Sequence, residues 1–126
     1  MLQIGEVAER VGLSLRSVRF YEESGLLEPE ARTDGGFRLY TETQVDRLLL
    51  IKRMKPLGFS VGEMRTLLLA SDKLGDPRAS QKKKAEAREV LQGFADLASR
   101  RCDALRKELS LAEEFAERLH DETRRA

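Results

Sequence analysis

From Ala79 to Leu119 the chain contains no proline and a single glycine, Gly93. Alanine, leucine, lysine, arginine and glutamate dominate this run, and all are good helix formers. The stretch predicts one continuous helix, about 60 Å long at 1.5 Å per residue. Ala87, Leu91, Phe94, Ala98, Leu105, Ala112, Phe115 and Leu119 recur on a spacing that alternates between three and four, which draws an apolar stripe down one side. The short segment before it cannot cover a stripe of that length. The rod needs another helix of its own kind, most simply from a second copy of the chain. Leu91, Phe94, Ala98, Leu105, Ala112, Phe115 and Leu119 are therefore the candidate dimerisation residues. Arg101 and Glu108 interrupt the stripe, and in an antiparallel pair crossing there each would meet the other's charge.

Composition narrows the function. A chain of 126 residues suits one domain or one domain with an extension. Its 36% of charged residues suits exposed helices. The net charge is only +1, so any nucleic-acid binding must rest on locally placed cations. No apolar run approaches a membrane span, and the opening MLQIGEVAER lacks the apolar core of a signal peptide. One cysteine, Cys102, cannot make an internal disulfide or a multi-thiolate metal site, and a reducing cytoplasm is the expected compartment. One histidine, one cysteine and no glycine-rich phosphate loop argue against an enzyme. No metal or other cofactor is expected, and His120 stands alone near the tail.

The segment before the rod reads as a compact unit. Ile4, Val7, Ala8 and Val11 recur on one face of a short helix that Gly12 ends. Ser14 caps a second helix, LRSVRFYEE, with Leu15, Val18 and either Tyr21 or Glu22 on one side. Two short helices joined by a tight turn make a helix-turn-helix candidate. Asp34-Gly35-Gly36 signals a hairpin turn, and Phe37 to Tyr40 alternates as a strand, giving a small wing. Thr41 and Gln44 form a capping box for a third helix, with Tyr40 and Val45 placed as its hydrophobic staple. Ser60 and Glu63 repeat the capping logic for a fourth, whose Leu67 and Leu68 can close a core. Residues 71–78, SDKLGDPR, read as a break.

Three motifs in this order, IGEVAERVGLSLRSVRFYEESGLLEP, GGFRLY and LGFSVGEM, resemble the MerR family of bacterial transcription regulators. The likeness covers residues 3 to about 70 closely; the long helix matches by architecture. The fold it implies is mostly α, a winged helix-turn-helix head followed by a long antiparallel coiled-coil dimerisation helix. The expected division is a head over 1–75, a dimerisation helix over 76–120 and a short tail over 121–126. The implied function is a sequence-specific DNA-binding regulator acting as a homodimer on double-stranded promoter DNA. It shares that promoter with bacterial RNA polymerase and controls initiation by distorting the DNA.

The resemblance also assigns residues. The second helix enters the major groove, so Arg16 and Ser17 are candidates for base or adjacent backbone contact. Arg19 matches the arginine before the family's aromatic pair, and Tyr21 its second tyrosine, a phosphate donor; a packing role for Tyr21 stays open. Phe20 stands where many members have tyrosine, and Phe37 does the same in the wing, so both lose a hydroxyl. Arg38 and Tyr40 match the wing's phosphate-facing pair. Arg65, with Lys52, Arg53 and Lys55, adds local positive charge. Lys82, Lys83 and Lys84 read as a solvated helix face, and Phe94 and Phe115 as dimer core. The cysteine set of the family's metal sensors is missing and the effector is unknown; sensing of a small molecule in the dimer seam, of oxidation through Cys102, or of nothing are all open. The alternative function is a helical interaction or assembly adaptor that does not bind DNA.

Overall fold

A computed structural model describes residues 1–125. Short elements make the head: β1 (Leu2–Gln3), α1 (Ile4–Val11), α2 (Leu15–Glu23), β2 (Ala31–Arg32), β3 (Arg38–Tyr40), α3 (Glu42–Met54), a 3-10 turn (Lys55–Leu57) and α4 (Val61–Gly75). A single helix, α5 (Gln81–Thr123), follows. The hairpin expected around Asp34-Gly35-Gly36 is present. It also gains a third strand that the sequence did not suggest: β1 pairs antiparallel with β3, giving the order β1-β3-β2. A two-residue strand carries no alternation to read, and only the partner edge of β3 defines it.

Local chemistry sets the boundaries. Gly12 takes φ +71° and closes α1. Ser14 caps α2, its hydroxyl accepting from the Ser17 amide at 3.0 Å. The Ser60–Glu63 capping box is closed from both sides, at 3.0 and 3.1 Å. At the start of α3 the Thr41 amide donates to Gln44 Oε1 at 2.8 Å. The expected break is shorter than its sequence suggests: α4 continues to Gly75, and only residues 76–80 separate it from α5. Ser71 to Gly75 has no proline to stop the backbone ladder, and Pro77 lies beyond it. The long helix likewise runs past the anticipated end, Leu119, to Thr123.

One core fills the head. Val7, Val11, Val18, Leu26, Leu27, Leu48, Ile51 and Leu68 are almost wholly buried in it. Tyr40 and Val45, the expected staple pair, are both part of it. Leu15 departs from expectation: at the first position of α2 it is 43% exposed, while Val18 and Tyr21 turn inward.

The first half of α5 packs on this head, mainly along α4 and the 3-10 turn. Ala87 is buried, and Phe94, Leu97 and Ala98 lie against the core. Phe94 meets Phe59 with ring centroids 5.7 Å apart. Arg101 sits over the same Phe59 ring, its guanidinium 4.8 Å from the centroid. It also donates to the Leu57 carbonyl at 3.2 Å and pairs with Glu63 at 3.5 Å. Within the single chain, Phe94 and Ala98 are partly buried against their own head, and Arg101 is engaged by that head. Beyond Cys102 nothing among the described residues covers the helix, and Leu105, Leu109, Phe115 and Leu119 are 41–62% exposed.

Phe59 is 7% exposed and joins head to rod. Phe59→Ala is expected to cost about 3 kcal/mol, at the lower end for a buried aromatic, read as a lowered urea midpoint. Gly12→Ala should lose about 1–2 kcal/mol in the same assay, since a side chain resists the left-handed backbone.

Candidate nucleic-acid interface

The adjacent aromatics on α2 divide between inside and outside. Tyr21 is 3% exposed and belongs to the core, whereas Phe20 is 52% exposed. Neighbouring helical positions differ by about 100°, so one of the two had to face out. Phe20 packs edge-on against Tyr21, centroids 5.6 Å apart. The expected phosphate donor at Tyr21 is thus relocated: its ring fills the head. Arg16, Arg19 and Phe20 share the outer face of α2 and line one shallow concavity with Leu15 and Glu23. Arg16 and Arg19 are exposed, and among the described residues neither guanidinium has an ion-pair or hydrogen-bond partner. Ser17 accepts a hydrogen bond from the Ser14 hydroxyl at 3.0 Å, which ties it to the helix cap.

The wing is fastened to α2 by one carboxylate. Glu22 has only 12% of its side chain exposed. Its Oε2 accepts the Tyr40 hydroxyl at 2.5 Å, and its Oε1 lies 2.6 Å from Arg38 Nε. The Arg38 contact is an ion pair without hydrogen-bond alignment, because the buried Nε finds no aligned acceptor. Tyr40 is wholly buried, so its expected outward role is corrected: the hydroxyl is spent inside. Arg38 keeps about a third of its side chain exposed while its inner nitrogen faces Glu22. The sequence pointed at Arg38 and Tyr40 but not at Glu22, although Glu22 ends the same RFYE motif.

Two other cations turn inward to carbonyls. Arg65 Nη2 donates to the Ser24 carbonyl at 2.5 Å, and Lys52 Nζ donates to the Val11 carbonyl at 2.7 Å. Each neutralises a helix C-terminus, so their charge is partly committed to the fold. Sequence reasoning also missed Arg47, which donates to the Leu26 carbonyl at 2.7 Å and reaches Asp72 at 2.8 Å. An arginine inside an amphipathic helix gives no sign of such a long-range partner. No group of three or more His, Cys, Asp or Glu side chains that could hold a metal ion occurs among the described residues, and no helix among them is long and apolar enough to cross a membrane.

Two free arginines on the second helix of a helix-turn-helix, with a hairpin locked beside it, define a nucleic-acid-binding class of domain. The profile of the MerR HTH family of regulatory proteins matches residues 2–71, and a second profile, described as MerR, DNA binding, matches residues 45–124. The chain belongs to the MerR family. It is 42% identical over 71 residues to a mercuric resistance operon regulatory protein of Bacillus cereus, covering 56% of this chain and 54% of that one. It is 37% identical over 107 residues to the transcriptional regulator YfmP of Bacillus subtilis, covering 76% of each. The chain spans about half to two thirds of the length of the first curated relatives it matches. Among solved structures it is similar to HiNmlR, a MerR family regulator lacking the sensor domain, bound to promoter DNA. That likeness has a TM-score of 0.72 at 21% identity, over 90% of this chain and 78% of that one, and it bears on the fold alone.

Burial and the bond to Glu22 hold the Tyr40 phenol well above its ordinary pKa of about 10. A raised pKa means that the folded state keeps this proton after the unfolded chain has lost it. The stability it supplies is therefore complete below about pH 10 and declines as pH rises above that value. The urea midpoint should hold up to about pH 10 and fall progressively as pH rises above it, and fall less in Tyr40→Phe.

Proposed function

We propose that the chain is a sequence-specific transcription regulator that binds duplex promoter DNA as a homodimer. The observation that carries this reading is the partnerless pair Arg16 and Arg19 on the outer face of α2, beside a hairpin fixed by Glu22. Every other structured arginine of the head (Arg10, Arg32, Arg38, Arg47 and Arg65) except Arg53 has an intramolecular partner. Arginine forks left free on such a helix suit guanine edges and phosphates. Arg16, Arg19 and Ser17 face the groove in this reading, Phe20 supplies apolar contact, and the outer part of Arg38 meets a phosphate. The residues from 1 to 75 act as the DNA-binding head, and α5 as the dimerisation element, paired antiparallel through Leu105, Ala112, Phe115 and Leu119. Phe94 and Ala98 also pack on the core of their own head, and Leu91 remains a candidate for the seam between copies.

The family's way of working, distortion of a promoter shared with RNA polymerase, fits a head with this architecture. Deformation energy rather than a reactive side chain would then carry the switch. The adaptor alternative explains the long helix equally well but gives Arg16 and Arg19 no task.

Titration of duplex DNA at several salt concentrations tests the reading. Affinity should fall steeply with salt, because each neutralised phosphate releases a counterion. Arg19→Ala should weaken binding to cognate duplex by about 1–3 kcal/mol, on the order of tenfold to a hundredfold, with the thermal melt unchanged. Salt-independent or undetectable duplex binding by a folded dimer would leave the adaptor reading.

A further inference from the structure

The outer face of α2 carries more than cations. Leu15, Arg16, Arg19, Phe20 and Glu23 line its concavity, and two of these are apolar side chains, Phe20 at 52% and Leu15 at 43% exposure. At about 100° per residue, Arg16 and Glu23 stand opposite the midpoint of the buried Val18 and Tyr21. Arg19 and Phe20 flank that crest, each about 50° from it. Tyr21 backs the Phe20 ring edge-on, centroids 5.6 Å apart, so the ring is supported from inside the head.

The chemistry of that ring limits what it can meet on a duplex. It has no donor for a phosphate oxygen, and pressed against one it would strip water from a charge and return no hydrogen bond. Glu23 lies one turn further along the same face, exposed and without an ion pair among the described residues. Its carboxylate repels phosphates as well. This side of α2 therefore suits base edges better than the sugar–phosphate backbone. In the major groove the apolar group that a base edge presents is the C5 methyl of thymine. Phe20 follows Arg16 by four positions, which sets their Cβ atoms about 5–6 Å apart. Bases succeed one another at about 3.4 Å along a strand, so ring and guanidinium reach base pairs no more than about two apart.

We infer that Phe20 reads a thymine methyl group in the major groove, within about two base pairs of the base that Arg16 contacts. The inference rests on the DNA-binding reading above and adds a sequence preference to it: each half-site holds a thymine close to that base. Cytosine in its place would offer an amino donor, for which the ring has no acceptor.

Duplexes selected by the full chain from a randomised pool supply the probe. Each thymine of a selected duplex is replaced singly by deoxyuridine, which removes the methyl and nothing else. The wild-type protein should lose about fourfold in affinity at one thymine of each half-site, the worth of one methyl group returned to water. Phe20→Ala should bind the thymine and uracil forms of that duplex equally, with an unchanged thermal melt. A methyl effect that survives in Phe20→Ala belongs to another side chain and overturns the assignment. A selected duplex in which no uracil replacement changes affinity overturns it too. Phe20→Tyr addresses the backbone alternative and should leave affinity for scrambled duplex unchanged. Tighter binding of that variant to selected and scrambled duplexes alike would place the ring at a phosphate, and the inference would be wrong while DNA binding stands. A folded protein that enriches no duplex from the pool overturns the DNA-binding reading itself, and this inference with it.

Discussion

The contact of Phe59 with Phe94, closed by Arg101, decides what the remainder of the molecule can do. It fixes a 43-residue helix to a head that is otherwise complete. Arg101 joins three groups in that one place: the ring of Phe59, the Leu57 carbonyl and the Glu63 carboxylate. Glu63 also accepts from the Ser60 amide. Backbone hydrogen bonding and the Arg101 charge together hold its carboxyl below the usual range. The cap of α4 and the seat of α5 are therefore one network. The direction in which the rod leaves the head follows from that network, and the separation of two heads in any dimer follows from the direction of the rods.

Glu22 plays the corresponding part within the head. A hairpin of two- and three-residue strands has little stability alone. Here it is anchored by β1 along one edge and by the Tyr40–Glu22–Arg38 contacts to α2. The hairpin and the outer face of α2 thus keep a fixed relation, which two surfaces reading one duplex require. The cost is that both oxygens of a mostly buried carboxylate are committed to the fold, and the polar ends of Tyr40 and Arg38 with them.

The features legible in sequence were those written in local chemistry. Gly12, Ser14, Ser60 and the Asp34-Gly35-Gly36 turn each dictate backbone within a few residues, and each appears where its chemistry demands. The apolar period of α1 identified Val7, Ala8 and Val11 correctly. Illegible were the contacts between distant side chains. Arg101 looked like a flaw in a dimer stripe because its partners, Leu57 and Glu63, lie about forty positions earlier. Periodicity says that a face is apolar without saying what covers it. Thus the face carrying Phe94 and Ala98 read as part of a seam between copies, and nothing in the sequence signalled that their own head packs against it. Motif likeness had the complementary weakness. It marked Tyr21 and Tyr40 as important positions, but importance through packing and importance through DNA contact leave the same letters.

The fate of the two tyrosines bears directly on how this chain would hold a phosphate backbone. Tyr21 lies in the core and the Tyr40 hydroxyl is bound to Glu22. Phe20 and Phe37, 52% and 65% exposed, present rings with no donor. No phenolic hydroxyl therefore reaches the outer surface of α2 or the hairpin. In the DNA-binding reading, polar contact there falls to guanidinium groups, the Ser14–Ser17 cap and backbone amides. Arg16 and Arg19 are the cations on α2 with nothing else to do, and their contacts are charge-assisted and released by salt. A surface built this way leans on counterion release more than one studded with neutral hydroxyl donors. The exposed rings beside those arginines exclude water from the contact without holding position by themselves, so register on the duplex depends on the rigid relation that Glu22 imposes between helix and hairpin.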